Sequence, residues 1–169
     1  MEGAMSESVD IEPATEPVTP LRWVGDPTTG YLELLDQRRL PDEEVWVPVR
    51  TAEATAEAIR DMVVRGAPAI GVTAAFGVVL GAQELGGEAS VSSLAHAFEG
   101  LAAARPTAVN LAWALERLRK KLAAVDAAGD IEPVQALFDE AHAIRAEDIE
   151  ANMALGDHGA ALLGDDAKV

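Results

Sequence analysis

Arg65-Gly66-Ala67-Pro68 is the stretch whose residue types best suit chemistry on an anion. Pro68 pre-sets the first turn of a helix, and Gly66 and Ala67 leave backbone N–H groups at its positive end. Glycine lets an oxyanion approach the backbone, while the Arg65 guanidinium supplies planar paired donors matched to phosphate. Arg105-Pro106-Thr107 repeats the logic at a second helix start, with Thr107 as cap and Asn110 in the first turn. Two helix N-termini, each preceded by arginine, would then converge on one phosphate. The same residues admit a plainer reading, in which Gly66 only stops a helix, Arg65 is a surface charge and Arg105 pairs with one of the 29 acids.

Other chemistry has less support. His96, His142 and His158 are far apart and none has a partner at metal-ligand spacing, so no metal site is expected. The acids Asp42, Glu43 and Glu44 fall in a turn, where they solubilise rather than catalyse. Cysteine is absent, which removes disulfides, thiolate ligands and a thiol nucleophile and makes the cytoplasm the simplest compartment. Asp148, Asn152 and Gly156 recur at four-residue steps on the last helix, either as a solvated face or as a polar stripe toward a neighbouring domain.

The elements that must position these residues are legible from the hydrophobic pattern. Leu21–Val24, Tyr31–Leu35 and Val45–Val49 read as three short antiparallel strands, the last carrying a proline suited to an edge. Such a sheet is marginal alone and needs helices to pack on. Thr51 caps a helix predicted to stop at Arg65-Gly66. From Gly66 to Gln83 no residue is charged; the run is long enough for a membrane span, but its Ala and Gly content and Pro68 favour a buried helix crossed closely by neighbours. Ser90 to Ala104 predicts a further helix with a serine cap. Leu111, Leu115, Leu118, Leu122 and Val125 form an amphipathic stripe, and Ile131 to Leu163 is helix-compatible with Pro133 in its first turn. The expected fold class is α+β, mainly α, a small three-stranded sheet (21–50) followed by about five helices (51–163).

Residues 1–20 carry five acids, three prolines and no basic residue, and read as a disordered acidic leader rather than a secretory or transit peptide. With 13 basic and 29 acidic residues the formal net charge is −16, which repels nucleic acid and anionic membranes while leaving room for arginines to hold one phosphate. Residues 164–169 read as the turn into a new strand.

Leu35-Asp36-Gln37-Arg38-Arg39-Leu40-Pro41, then Asp61 to Gly71, then Arg105-Pro106-Thr107-Ala108-Val109-Asn110-Leu111 resemble the S-methyl-5-thioribose-1-phosphate isomerases; Glu147-Asp148-Ile149, Asn152 and His158-Gly159-Ala160 extend the resemblance to about Val169. The resemblance implies an N-terminal domain preceding a Rossmann-like one, with residues 164–169 beginning the second. It implies conversion of 5-methylthioribose 1-phosphate to 5-methylthioribulose 1-phosphate in methionine salvage, without metal or cofactor. It places substrate contacts on Arg65, Gly66, Ala67 and Arg105. The family's catalytic cysteine and aspartate lie in the second domain, so this chain is expected to hold no catalytic residue and to be inactive without that partner. Homodimerisation of the whole enzyme is left open. Two alternatives remain: a fragment of the similar ribose-1,5-bisphosphate isomerases, and a non-catalytic module like the regulatory subunits of the translation-initiation exchange factor.

Overall fold

The computed structural model describes residues 19–129 and 132–163; the predicted leader, apart from its last two residues, and the predicted start of a second domain lie outside them. Strands β1 (Leu21–Val24), β2 (Tyr31–Leu35) and β3 (Trp46–Val49) form one antiparallel sheet in the order β1-β2-β3. Side chains alternate between faces in a strand, and the register pairs Leu21 with Leu34 and Leu32 with Val49 on the buried face. On the other face Arg22 bonds Glu33 at 2.7 Å and lies over the Trp46 ring. The β1–β2 turn is closed by Asp26, whose carboxylate accepts the N–H groups of Thr28 and Thr29, both at 2.9 Å. Those bonds and the two threonine hydroxyls hold its carboxyl well below the usual range.

Five helices follow: α1 (Ala52–Arg60), α2 (Ala67–Leu85), α3 (Ala95–Ala104), α4 (Val109–Ala128) and α5 (Pro133–Ala160). The α+β, mainly helical expectation is met. Thr51 caps α1 as predicted, its hydroxyl accepting the Ala54 N–H at 3.0 Å. Three local expectations need correction. Helix α1 ends at Arg60, five residues early, because Met62 turns left-handed (φ 61°) and lets Val63 donate to Ala58 at 2.9 Å and Met62 to Ile59 at 3.2 Å, the reciprocal pattern that closes a helix. Ser90 caps not α3 but the turn before it, accepting the Ser93 N–H at 3.2 Å. Thr107 does not cap α4; the cap position is Ala108 and makes no side-chain bond.

Helix α2 is the axis. Every residue from Ile70 to Ala82 is buried, and α1, α3, α4 and α5 all pack on it. It is long and apolar enough to cross a membrane, yet its surface is occupied by protein. Its glycines permit the approach: a Cβ on Gly71 would lie 2.8 Å from the Asn110 carbonyl oxygen of α4, and one on Gly77 2.8 Å from Thr55 and 2.9 Å from Leu101. Helices α4 and α5 form an antiparallel hairpin, ended on one side by left-handed Gly129 (φ 74°) and started on the other by Glu132, which accepts the Gln135 N–H at 2.9 Å. The predicted stripe of α4 is buried from Leu111 to Val125. Trp23, Phe76, Phe138 and His142 stack where the sheet, α2 and α5 meet. Beyond residue 150, α5 is exposed on every side.

Two outcomes follow from this packing. Gly71→Ala should destabilise the fold by about 1–3 kcal/mol, because the methyl meets backbone that cannot rotate away, and urea denaturation reads it directly. The second concerns His142. Burial lowers its affinity for a proton, the Arg145 charge adds to this, and Asp139 opposes it. The neutral ring is the folded form, so its contribution is complete above the unfolded value of about 6.5 and is lost as pH falls below it. The urea midpoint should drop between about pH 7.5 and about pH 5.5, and less so in His142→Phe.

Candidate functional site

The segment between α1 and α2 is short and held at both ends. After left-handed Met62, Val63 and Val64 are buried and anchor the chain, while Arg65 returns to the surface. Gly66 then takes φ 94° and ψ 131°, a conformation that strains any side chain, and starts α2 without a side-chain cap. Nothing lies within 4 Å of where its Cβ would be. The glycine is therefore demanded by backbone conformation, and the space beside it is open. The first N–H groups of α2 have no partner within the helix, and the cap residue offers none.

The second predicted start is built differently. Helix α3 ends at Ala104, Arg105 is half-buried, and the Ala108 N–H donates to the Arg105 carbonyl at 3.0 Å, folding Arg105–Ala108 into one tight turn before α4. Among the described residues neither Arg65 nor Arg105 forms an ion pair, whereas Arg22, Arg38, Arg39 and Arg117 each hold a carboxylate.

The two helix starts share one groove of about 430 Å³. Pro68 and Gly71 of α2, Val109, Asn110 and Trp113 of α4, and Glu147 and Asp148 of α5 line it. Arg65, Gly66, Ala67 and Arg105 do not line it; they precede in sequence the Pro68 and Val109 that do. Its floor is the α2–α4 crossing at Gly71 and Asn110. Val109 (79% exposed) and Trp113 (50%) give it an apolar wall, unexpected from sequence although both sit off the buried stripe of α4.

Arg117 fixes the opposite wall. Its guanidinium donates to Glu140 at 2.6 Å and to both oxygens of Glu147 at 2.5 and 2.8 Å. The pairing holds the Glu147 carboxyl below its ordinary value and raises Arg117 further above the titratable range. The Glu147 charge is thus paired with Arg117 beside the groove. The Asp148–Asn152 stripe lies alongside, Asn152 donating to the Asp148 carbonyl at 2.8 Å. A second hollow of about 400 Å³, between α1, the end of α2 and α3, sets Glu53, Glu57 and Glu84 against Arg60 and His96, an acidic balance that disfavours phosphate. Among the described residues no His/Asp/Glu group is placed to hold a metal ion.

A small sheet on five helices, with the starts of α2 and α4 on one groove, is an architecture shared with solved structures of other proteins. A crystal structure of 5-methylthioribose 1-phosphate isomerase from Pyrococcus horikoshii superposes with TM-score 0.71 and 36% identity over 86% of this chain and 41% of that one. The sequence profile of the Initiation factor 2 subunit family matches residues 63–169, and the chain belongs to that family. Within it, the chain is 50% identical over 152 residues to a methylthioribose-1-phosphate isomerase of Alcanivorax borkumensis, covering 88% of this chain and 41% of the relative. It is 47% identical over 163 residues to the same-named protein of Xanthomonas euvesicatoria, covering 94% and 44%. The delta subunit of translation initiation factor eIF-2B from A. fulgidus also superposes with TM-score 0.71, at 31% identity over 89% of this chain and 43% of that one. The chain spans about two-fifths of the length of these relatives.

Removing the clamp tests how the groove wall is held. Arg117→Ala should destabilise the chain by roughly 1 kcal/mol, modest because the partners are partly solvated, and Arg117→Lys should restore only part of it, since an ammonium cannot make the paired bonds to Glu147. Urea midpoints of the three proteins decide it.

Proposed function

We propose that this chain is the phosphate-binding portion of an enzyme that isomerises 5-methylthioribose 1-phosphate to 5-methylthioribulose 1-phosphate in methionine salvage. The observation that carries the reading is the Arg65-Gly66-Ala67 turn, exposed at a helix start with an arginine that forms no ion pair among the described residues, in a chain half identical to enzymes so named. Arg65 and Arg105 bind the phosphate oxygens, and the Gly66 and Ala67 amides add backbone donors. The apolar wall of Val109 and Trp113 receives the thioether end, and Asn110 and Asp148 face the sugar hydroxyls.

The chain has no cysteine. The family's cysteine and aspartate, which act on the sugar carbons, belong to a second domain that must complete the site. The exposed apolar residues of the outer half of α5, Ile149, Met153 and Leu155, are a surface for that domain to cover. Binding phosphate alone does not move a proton or hydride, so the isolated chain should bind without turnover. A cysteine-free chain suits the reducing cytoplasm.

A second reading, a non-catalytic regulatory module, is favoured by the equal structural match to the initiation-factor subunit. Thermal shift with ribose 1-phosphate separates the two. A binding chain gains stability as RT ln(1 + [L]/Kd), and Arg65→Ala and Arg105→Ala should each weaken binding roughly tenfold, the worth of a charge-assisted bond. No shift in the parent chain supports the regulatory module, and turnover by the isolated chain that Arg65→Ala abolishes overturns the expectation of inactivity.

A further inference from the structure

The Arg65 loop is aimed from the sheet. Where β2 ends, Asp36 is 4% exposed, and its carboxylate accepts the Arg38 N–H at 3.1 Å, Nε at 2.8 Å and Nη2 at 2.8 Å. Its own N–H donates to the Val45 carbonyl at 2.8 Å. A buried carboxylate paired with arginine adds little net stability over an apolar residue of the same volume, so its value here is geometric. It fixes the turn that carries Gln37. The Gln37 N–H donates to the Val63 carbonyl at 2.9 Å, and its carboxamide Nε2 to the Arg65 carbonyl at 3.5 Å. Among the described residues these two are the only long-range hydrogen bonds that reach residues 61–66.

A trans peptide is planar, with its C=O and N–H pointing in opposite directions. The Arg65 carbonyl and the Gly66 N–H belong to one peptide. A donor on that carbonyl therefore turns the Gly66 N–H away from Gln37, and the space where a Gly66 Cβ would lie is open. Glycine at φ 94° leaves this peptide free to rotate at little cost, so an external hold is needed to keep one orientation.

We propose that Gln37, set in place by buried Asp36, is a positioning residue that aims the Arg65–Gly66 peptide for anion binding. The inference rests on the phosphate reading above. It is tested by recording the Gly66 and Ala67 amide resonances of the 169-residue chain, free and titrated with inorganic phosphate. In Gln37→Leu, which fills the space without a donor, the free Gly66 amide should move. Phosphate should bind about fivefold more weakly, the worth of one neutral hydrogen bond, with the urea midpoint unchanged. In Gln37→Glu the amide should be displaced at neutral pH and return as the carboxyl protonates and can donate again, a response that loss of packing would not give. A Gly66 amide that stays in place in Gln37→Leu overturns the positioning role, whether or not phosphate binds. Unaltered phosphate affinity in Arg65→Ala overturns instead the phosphate reading.

Discussion

The close approach of backbones along α2 is the constraint on which the rest depends. An α-helix surrounded by four others must either push them apart with side chains or present almost none, and α2 does the latter at Gly71, Gly77 and Gly81. The crossing at Gly71 and Asn110 sets more than stability. It fixes the separation of the first turns of α2 and α4, and so the width of the groove between them. A protein with seven aromatic residues among 169 has few large side chains for filling gaps, and close backbone contact is the alternative route to a dense interior.

Much of this was legible in the sequence because the cues were local. Apolar stretches between turn signals marked β1 and β2, β-branched and aromatic residues marked β3, Thr51 marked the start of α1, and the uncharged Gly/Ala run marked the central helix. What escaped was decided by tertiary contacts or by unusual backbone. Met62 closes α1 in a left-handed conformation normally left to glycine, and no residue pattern announces it. Ser90 and Thr107 have the chemistry of caps, but the cap positions, Leu94 and Ala108, fall four and one residues beyond them. Of the candidate site, Arg65, Gly66 and Ala67 were visible because a Gly-Ala-Pro helix start carries its own logic. Trp113 and Arg117 were not, since their role appears only when α5 is laid beside α4.

Charge is arranged against the average. A net −16 makes the surroundings hostile to phosphate at long range, yet screening confines that repulsion to roughly 8 Å at physiological ionic strength. Inside that distance local pairs decide. Arg22, Arg38, Arg39, Arg117 and Arg119 each hold a carboxylate, the Glu147 charge is paired with Arg117, and Arg65 and Arg105, like Arg50, Arg60 and Arg145, hold none among the described residues. Local pairing therefore leaves some arginines uncompensated in a chain whose overall balance is acidic.

The overhang of α5 carries a thermodynamic consequence of its own. Up to Glu147 the helix is clamped by Arg117 and packed on α2 and α4; from Ala151 onward its residues touch solvent on all sides. Starting a helix is the costly step, and the packed half has already met that cost, so the outer half only propagates. Propagation of ordinary residues in water is close to neutral. The outer turns should therefore lengthen and shorten continuously with temperature, with opening free energies that rise from near zero in the exposed turns to the global value at the Arg117 clamp. One helix then holds both the least and the most cooperative parts of the fold, and a partner that covers the overhang would stiffen it without having to nucleate anything.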